Sequence, residues 1–116
     1  MQFRVTNITR AALLAHRAER AIHFFARLKG LIGRTRFNAG EGLQIEPCNS
    51  IHTFFMRFPI DAIFLDEGRK VLRVYPALKP WQVVICIQAT SVLELPAGTV
   101  DRTGTRTADE LEFELC

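Results

Sequence analysis

The sequence predicts a mainly β domain, a small antiparallel β-sandwich or barrel-like unit with one short helix near residues 19–29. Three observations lead there. Short runs rich in β-branched and aromatic residues recur along the chain, separated by Gly, Pro and charged breaks. One sustained segment, residues 19–29, gathers its apolar side chains on a helical face. At 116 residues, 48% hydrophobic and 23% charged, the chain has the size and composition of a single domain over residues 1–116.

Residues 3–6 alternate and read as a short strand. Residues 10–18 carry Ala and Leu without a clear period and read as connection or frayed helix. Ala21, Phe24, Phe25 and Leu28 then stand at i, i+3, i+4 and i+7. Glu19 before them, Arg27 and Lys29 at the far end and Gly30 as a left-handed cap all suit a helix dipole. Beyond Gly42, residues 43–45 alternate and stop at Pro47. Residues 51–58 form an aromatic-rich strand broken by Pro59. Residues 62–65 are almost continuously apolar, the pattern of a strand buried on both faces. Residues 66–70 make a hairpin connection, and 71–75 the return strand. Trp81, Val83, Ile85 and Ile87 alternate with Gln82, Val84, Cys86 and Gln88, another strand. Residues 92–95 form a short strand closed by Pro96-Ala97-Gly98, and 99–104 hold one helical turn. Leu111, Phe113 and Leu115 against Glu110, Glu112 and Glu114 give the cleanest period-two pattern in the chain.

No apolar run approaches the ~18 residues of a membrane helix, so no membrane association is expected. Cys48, Cys86 and Cys116 are odd in number and lack a short repeat spacing, which suits reduced thiols in a cytoplasm rather than a disulfide scaffold or zinc ribbon. The first residues lack the basic flank and apolar core of a secretory signal. The expected localisation is cytoplasmic. Charge is unevenly spread: residues 1–40 carry eight basic side chains and one acidic, residues 41–116 seven basic and eleven acidic. An arginine-rich first third would suit an adaptor for nucleic acid or protein. No binding motif accompanies it, and the acidic residues 109–114 are available to pair with it within the chain, so nucleic acid is not the expected partner.

The chemistry concentrates in residues 47–61, which mix Cys48, His52, Met56, Arg57 and Asp61 with Phe54, Phe55 and Phe58. Cys48, His52 and Met56 are ligand types for a soft metal. On a strand, however, residues four apart are separated by ~13 Å at ~3.3 Å per residue, so neither a metal site nor a cofactor is expected. Cys48 or His52 with Asp61 would make a nucleophile or acid–base pair if the fold joined them, the basis of a hydrolase or transferase reading. His52, Arg57, Asp61 and Glu94 on an aromatic wall would instead make a small-ligand pocket. The bland alternative is structural: Arg57 paired with Asp61 across Pro59, and His52 a hydrogen-bonded, half-buried side chain. That structural pairing is the expected outcome, with the pocket close behind.

Four blocks resemble a known family in order. They are Arg27-Leu28-Lys29-Gly30-Leu31-Ile32-Gly33-Arg34, the run from His52-Thr53-Phe54-Phe55-Met56-Arg57 to Phe58-Pro59-Ile60-Asp61, Phe64-Leu65-Asp66, and Val92-Leu93-Glu94-Leu95-Pro96-Ala97-Gly98. Together, over about residues 19–116, they resemble the domain of unknown function 192 family. The resemblance implies a single, mainly β domain of sandwich type, found in bacteria and archaea, with characteristic polar positions at His52, Met56, Arg57, Asp61 and Glu94. It brings no reaction, cofactor or partner. Many members carry a Lys-Asn-Thr type sequence where this chain has Arg57-Phe58-Pro59, and members often have Pro and Arg in the stretch occupied here by residues 83–87.

The functional expectation is therefore a small non-enzymatic binding module with a polar and aromatic pocket around His52, Arg57 and Asp61, with Met56 and Glu94 as further ligand-binding candidates. A small molecule or another protein is the expected class of partner. A hydrolase or transferase using Cys48 or His52 with Asp61, and an adaptor using the arginine-rich residues 1–40, are the alternatives.

Overall fold

The structure, a computed structural model, describes residues 1–22 and 30–116. Its strands are β1 (Gln2–Asn7), β2 (Ala12–Ala21), β3 (Glu41–Ile45), β4 (Ser50–His52), β5 (Ile60–Leu65), β6 (Val71–Leu78), β7 (Val83–Ile85), β8 (Ser91–Pro96) and β9 (Leu111–Leu115). Among the described residues one short helix, α1 (Thr99–Thr103), lies between β8 and β9. The fold is mainly β, as the sequence predicts. A seven-stranded sheet runs β6-β5-β8-β3-β2-β1-β9, and β4 pairs with β7 in a separate two-stranded ribbon. The large sheet curls on itself. Lys70 bridges Glu110, Val71 donates to the Asp109 carbonyl at 2.8 Å and Leu111 to that of Arg69 at 2.9 Å, so β6 and β9 meet at one end of a half-barrel.

The pairing is not wholly antiparallel. β2 and β3 run parallel, with Glu19 opposite Leu43 and Ala21 opposite Ile45. A parallel pair needs a crossover, and residues 22–40 supply it. Residues 10–18, read from sequence as connection or frayed helix, belong largely to β2. The expected helix over 19–29 fails at its start, because Glu19, Arg20 and Ala21 end β2; residues 23–29 lie outside the described residues. The helical turn expected over 99–104 is α1, closed by Gly104 in the left-handed region at φ 71°.

Alternation puts two apolar cores on the two faces of the sheet. Ile63, Leu65, Leu93 and Leu95 point with Val5, Ala15 and Val100 to the side of α1. Ile60, Ala62, Phe64 and Val92 point with Leu43, Ile45 and Met56 to the side of the ribbon, which contributes Ile51 and Cys86. β5 is buried at every residue because it lies between β6 and β8 with both faces covered. The aromatic strand expected over 51–58 stops at His52. Thr53 takes over the hydrogen bonds there, Met56 donates back to the Thr53 carbonyl at 3.2 Å, and Phe55 adopts φ 65°.

Candidate functional site

Thr53 organises the exposed end of the ribbon. Its side chain is fully buried. Its Oγ1 donates to the Lys79 carbonyl at 2.7 Å and accepts from the Gln82 N–H at 2.9 Å. Its backbone N–H donates to the Gln82 carbonyl at 2.9 Å, and its carbonyl accepts from the Trp81 N–H at 3.0 Å. These bonds fix the β4–β5 connection against the β6–β7 connection and bring two distant aromatic groups together. The Phe55 and Trp81 rings meet edge to face at 4.7 Å, Phe54 lies 5.8 Å from Trp81, and His52 lies 5.0 Å from Phe54. His52 Nδ1 accepts from the Phe54 N–H at 3.2 Å, which leaves Nε2 directed elsewhere.

This cluster faces outward. Phe55 is 65% exposed and Trp81 58%, and along the ribbon Val83, Ile85 and Ile87 are exposed by 56%, 55% and 77%. The alternation in residues 81–88 thus turns its larger apolar set to the outside, while Val84 and Cys86 face the core. Protein interfaces and ligand grooves are the usual settings of large contiguous apolar patches. Phe55 and Trp81 also sit at φ 65° and 68°, a region that costs a bulky side chain on the order of 1–3 kcal/mol and clusters at functional positions. Residues 47–60 and 71–93 contain no acidic side chain and contribute the exposed Arg57, Arg73 and Lys79.

The five sequence-derived site residues separate in space. His52 and Arg57 reach the surface at the aromatic cluster, and Met56 is packed beneath it in the ribbon-side core. Asp61 points to the opposite face. Its Oδ1 accepts from the Ala77 N–H and its Oδ2 from the Val100 N–H, both at 2.8 Å, so the carboxylate ties β5 to β6 and to α1. The expected Arg57–Asp61 pair is not formed: Asp61 is fully buried and spends both oxygens on backbone donors, while Arg57 is exposed. Cys48, His52 and Asp61 are likewise committed apart, since Cys48 Sγ donates to the Ser50 carbonyl at 3.0 Å. Among the described residues no group of three or more His, Cys, Asp or Glu is placed to hold a metal ion.

Glu94 returns to the ribbon side. The registers of β2, β3, β8 and β5 set Glu19, Leu43, Glu94 and Ala62 in one row across the sheet. Glu94 is buried, and its Oε1 has no hydrogen-bond partner among the described residues. Burial pushes its carboxyl up to about 8, against the pull of the Arg34 charge. Arg34 lies 3.9 Å from Glu19, and both line a cleft of about 330 Å³ with Ala21, Gly30 and Leu43. The structure therefore holds Glu94 at a different place from His52 and Arg57.

Sequence reasoning missed Thr53 and the role of Trp81. The available signal was in the strand alternation: Trp81, Val83, Ile85 and Ile87 carry no charge between them, yet β7 joins only a two-stranded ribbon with little sheet to cover it.

The family model of the domain of unknown function 192, described as uncharacterized ACR, matches residues 5–113. The chain belongs to this family. The match begins well before residue 19, so β1 and β2 are part of the domain. The chain is 31% identical to a UPF0127 protein of Thermococcus sibiricus, covering 94% of this chain and 73% of that one, and 28% identical to a UPF0127 protein of Pyrococcus furiosus, covering 92% and 95%. Its fold matches the crystal structure of a protein of unknown function from Novosphingobium aromaticivorans, with a TM-score of 0.82 at 24% identity over 97% of this chain and 84% of that one. A Sinorhizobium meliloti protein matches with a TM-score of 0.83 at 21% identity, over 97% and 92%. These last two likenesses concern the fold alone. No helix among the described residues is long and apolar enough to cross a membrane.

Proposed function

We propose that this chain is a non-enzymatic binding module whose recognition surface is the aromatic cluster of His52, Phe54, Phe55 and Trp81 with Arg57 at its side. The observation that carries the reading is the exposed Phe55–Trp81 pair, two large aromatic side chains held in the left-handed backbone region and in edge contact at 4.7 Å. Aromatic rings supply contact area at low entropic cost, and a neighbouring guanidinium selects an acidic group on the partner. Met56 supports the cluster from beneath, and Asp61 holds the strand that follows it. Cytoplasmic residence completes the proposal, supported by an odd number of cysteines without a short repeat spacing, Cys48, Cys86 and Cys116.

The test is amide chemical-shift mapping on the isotope-labelled chain with a panel of aromatic carboxylates and acidic aromatic peptides. Saturable shifts centred on residues 52–57 and 81–87, lost in Trp81→Ser, are expected. Absence of any saturable shift at these residues would overturn the reading. Saturable shifts confined to Glu19, Arg34 and Leu43 would overturn it as well, and would move attention to the cleft near Glu94.

A further inference from the structure

The β4–β7 ribbon has an open side. Cys86 donates its backbone N–H to the Asn49 carbonyl at 2.8 Å, and the Gln82 carbonyl accepts from Thr53 at 2.9 Å. The register pairs Ile51 with Val84 between them. In an antiparallel ladder the backbone groups alternate sides, so Gln82, Val84 and Cys86 engage β4 while Val83 and Ile85 turn their N–H and C=O groups away from it. Among the described residues β7 pairs with β4 alone.

Exposed edges are ordinarily blunted by a charge, a proline or a covering segment. This one is not. From Trp81 to Leu93 the sequence has neither a charged residue nor a proline, and Val83, Ile85 and Ile87 add outward apolar side chains to the open backbone. Arg57, Arg73 and Lys79 on the segments before the ribbon strand are exposed and positive, and Glu94, the next acidic residue after it, is buried. An edge with unpaired amides, alternate apolar side chains and a basic border is complementary to an extended segment that alternates apolar and acidic residues.

We infer that β7 takes up an extended acidic and apolar segment of a partner protein as an added antiparallel or parallel strand. This rests on the ribbon face being the binding surface. Main-chain bonds to Val83 and Ile85 supply affinity, contacts with Val83, Ile85 and Ile87 select apolar residues, and the basic border selects the acidic ones. The one-sided charge disfavours the β7 of a second copy, because two copies of β7 side by side would bring the same basic border together, and the acidic β9 is already paired with β1.

The test uses a fluorescein-labelled peptide Glu-Val-Asp-Tyr-Glu-Val, a sequence the chain itself does not contain, with Lys-Val-Lys-Tyr-Lys-Val as control, followed by fluorescence anisotropy. The wild-type chain is expected to bind the acidic peptide saturably and the basic one at least about tenfold more weakly, as like charges meet at the border. Ile85→Pro removes an N–H that faces away from β4, a position where an edge strand tolerates proline. It is expected to lose binding by at least about tenfold while keeping its melting transition. If that variant does not fold, the acidic peptide N-methylated at alternate residues reads the same bonds on the wild-type chain and is expected to lose binding in one of its two methylation phases. Undiminished binding by Ile85→Pro or by both methylated peptides would overturn strand addition while leaving the aromatic surface as the site of binding. No binding of the acidic peptide would overturn the inference, and the aromatic carboxylate panel would still judge the binding-module reading separately. A dimer in sedimentation that Ile85→Pro abolishes would overturn it in favour of a second copy.

Discussion

The two faces of the curled sheet each leave one buried polar atom unpaired but differ in the polar networks and exposed apolar side chains around it. On the α1 side the buried polar groups are paired. Asp61 accepts two backbone N–H groups, and Asp109 accepts from Asn7 at 2.9 Å, Arg10 at 3.1 Å and the Arg106 N–H at 3.0 Å. Thr103 and Thr105 bond to each other at 2.7 Å. Arg69 is the exception, with a buried Nη1 that lacks a partner and a guanidinium 4.2 Å over the Phe113 ring. On the ribbon side, Glu94 is buried with an unpaired oxygen, and Phe55, Trp81, Val83, Ile85 and Ile87 stand in solvent. The α1 side is dense in buried hydrogen bonds, and the ribbon side carries the exposed apolar side chains on which the proposed binding rests.

Asp61 should show the largest effect. Asp61→Ala strands the buried Val100 N–H and frees Ala77, with an expected loss of about 3 kcal/mol or more for two hydrogen bonds to a charged acceptor. Adding Arg57→Ala should not restore it, because the guanidinium is not the partner of that carboxylate. Urea melts of both singles and the double check this. Rescue in the double would mean that Arg57 and Asp61 are paired after all.

Two buried acids sharpen the contrast through pH. For Asp109, burial pushes the pKa up, but the hydrogen bonds from Asn7, Arg10 and Arg106 outweigh it and leave the pKa lowered. Its contribution is present above the unfolded value near 3.8 and is lost as pH falls through the folded value. Glu94 behaves in reverse. Between its ordinary 4.5 and about 8, the folded chain binds a proton that the unfolded chain has released, so stability falls as pH rises through that window. Glu94→Gln should flatten this dependence, removing a penalty on the order of 3–5 kcal/mol at the alkaline end. Urea midpoints of the variant that still decline with pH as steeply as wild type would show that Glu94 is not the source.

How much of this was legible in the sequence follows from the same physics. β5, β8 and β9 announced themselves because each holds a simple pattern, continuous burial or strict alternation, and β6 is legible over residues 71–75 as the return strand of the 66–70 hairpin. β2 did not, because its register with β1 shifts: Phe3 faces Ala18 but Val5 faces Ala15. The bulge places Leu14 and Ala15 both inside and His16 and Arg17 both outside, which erases period two. The candidate site was only half legible. Residue types single out His52 and Arg57 as polar groups beside Phe54 and Phe55, whereas the direction in which Asp61 points depends on which strands flank β5. Trp81 joins Phe55 only through Thr53 and its bonds to residues 79 and 82, contacts that no local spacing encodes.

Smaller effects are expected at the surface. Trp81→Ser, Ile85→Ser and Arg57→Ala should each change stability by no more than about 0.5 kcal/mol, the usual range for exposed positions. Thermal melts of the three check it. A large loss in any of them would assign that side chain to the fold rather than to binding.

The ribbon face as a surface built for binding is tested most directly by the fluorescence of Trp81, the one tryptophan in the chain. In the free protein its emission should be solvent-exposed and readily quenched by iodide, whose negative charge is drawn to the basic border. Titration with the acidic alternating peptide should shift the emission to the blue and shield it from iodide, with saturation. A free-state emission already blue and protected would contradict the account, as would an exposed emission that neither the peptide nor any aromatic carboxylate changes.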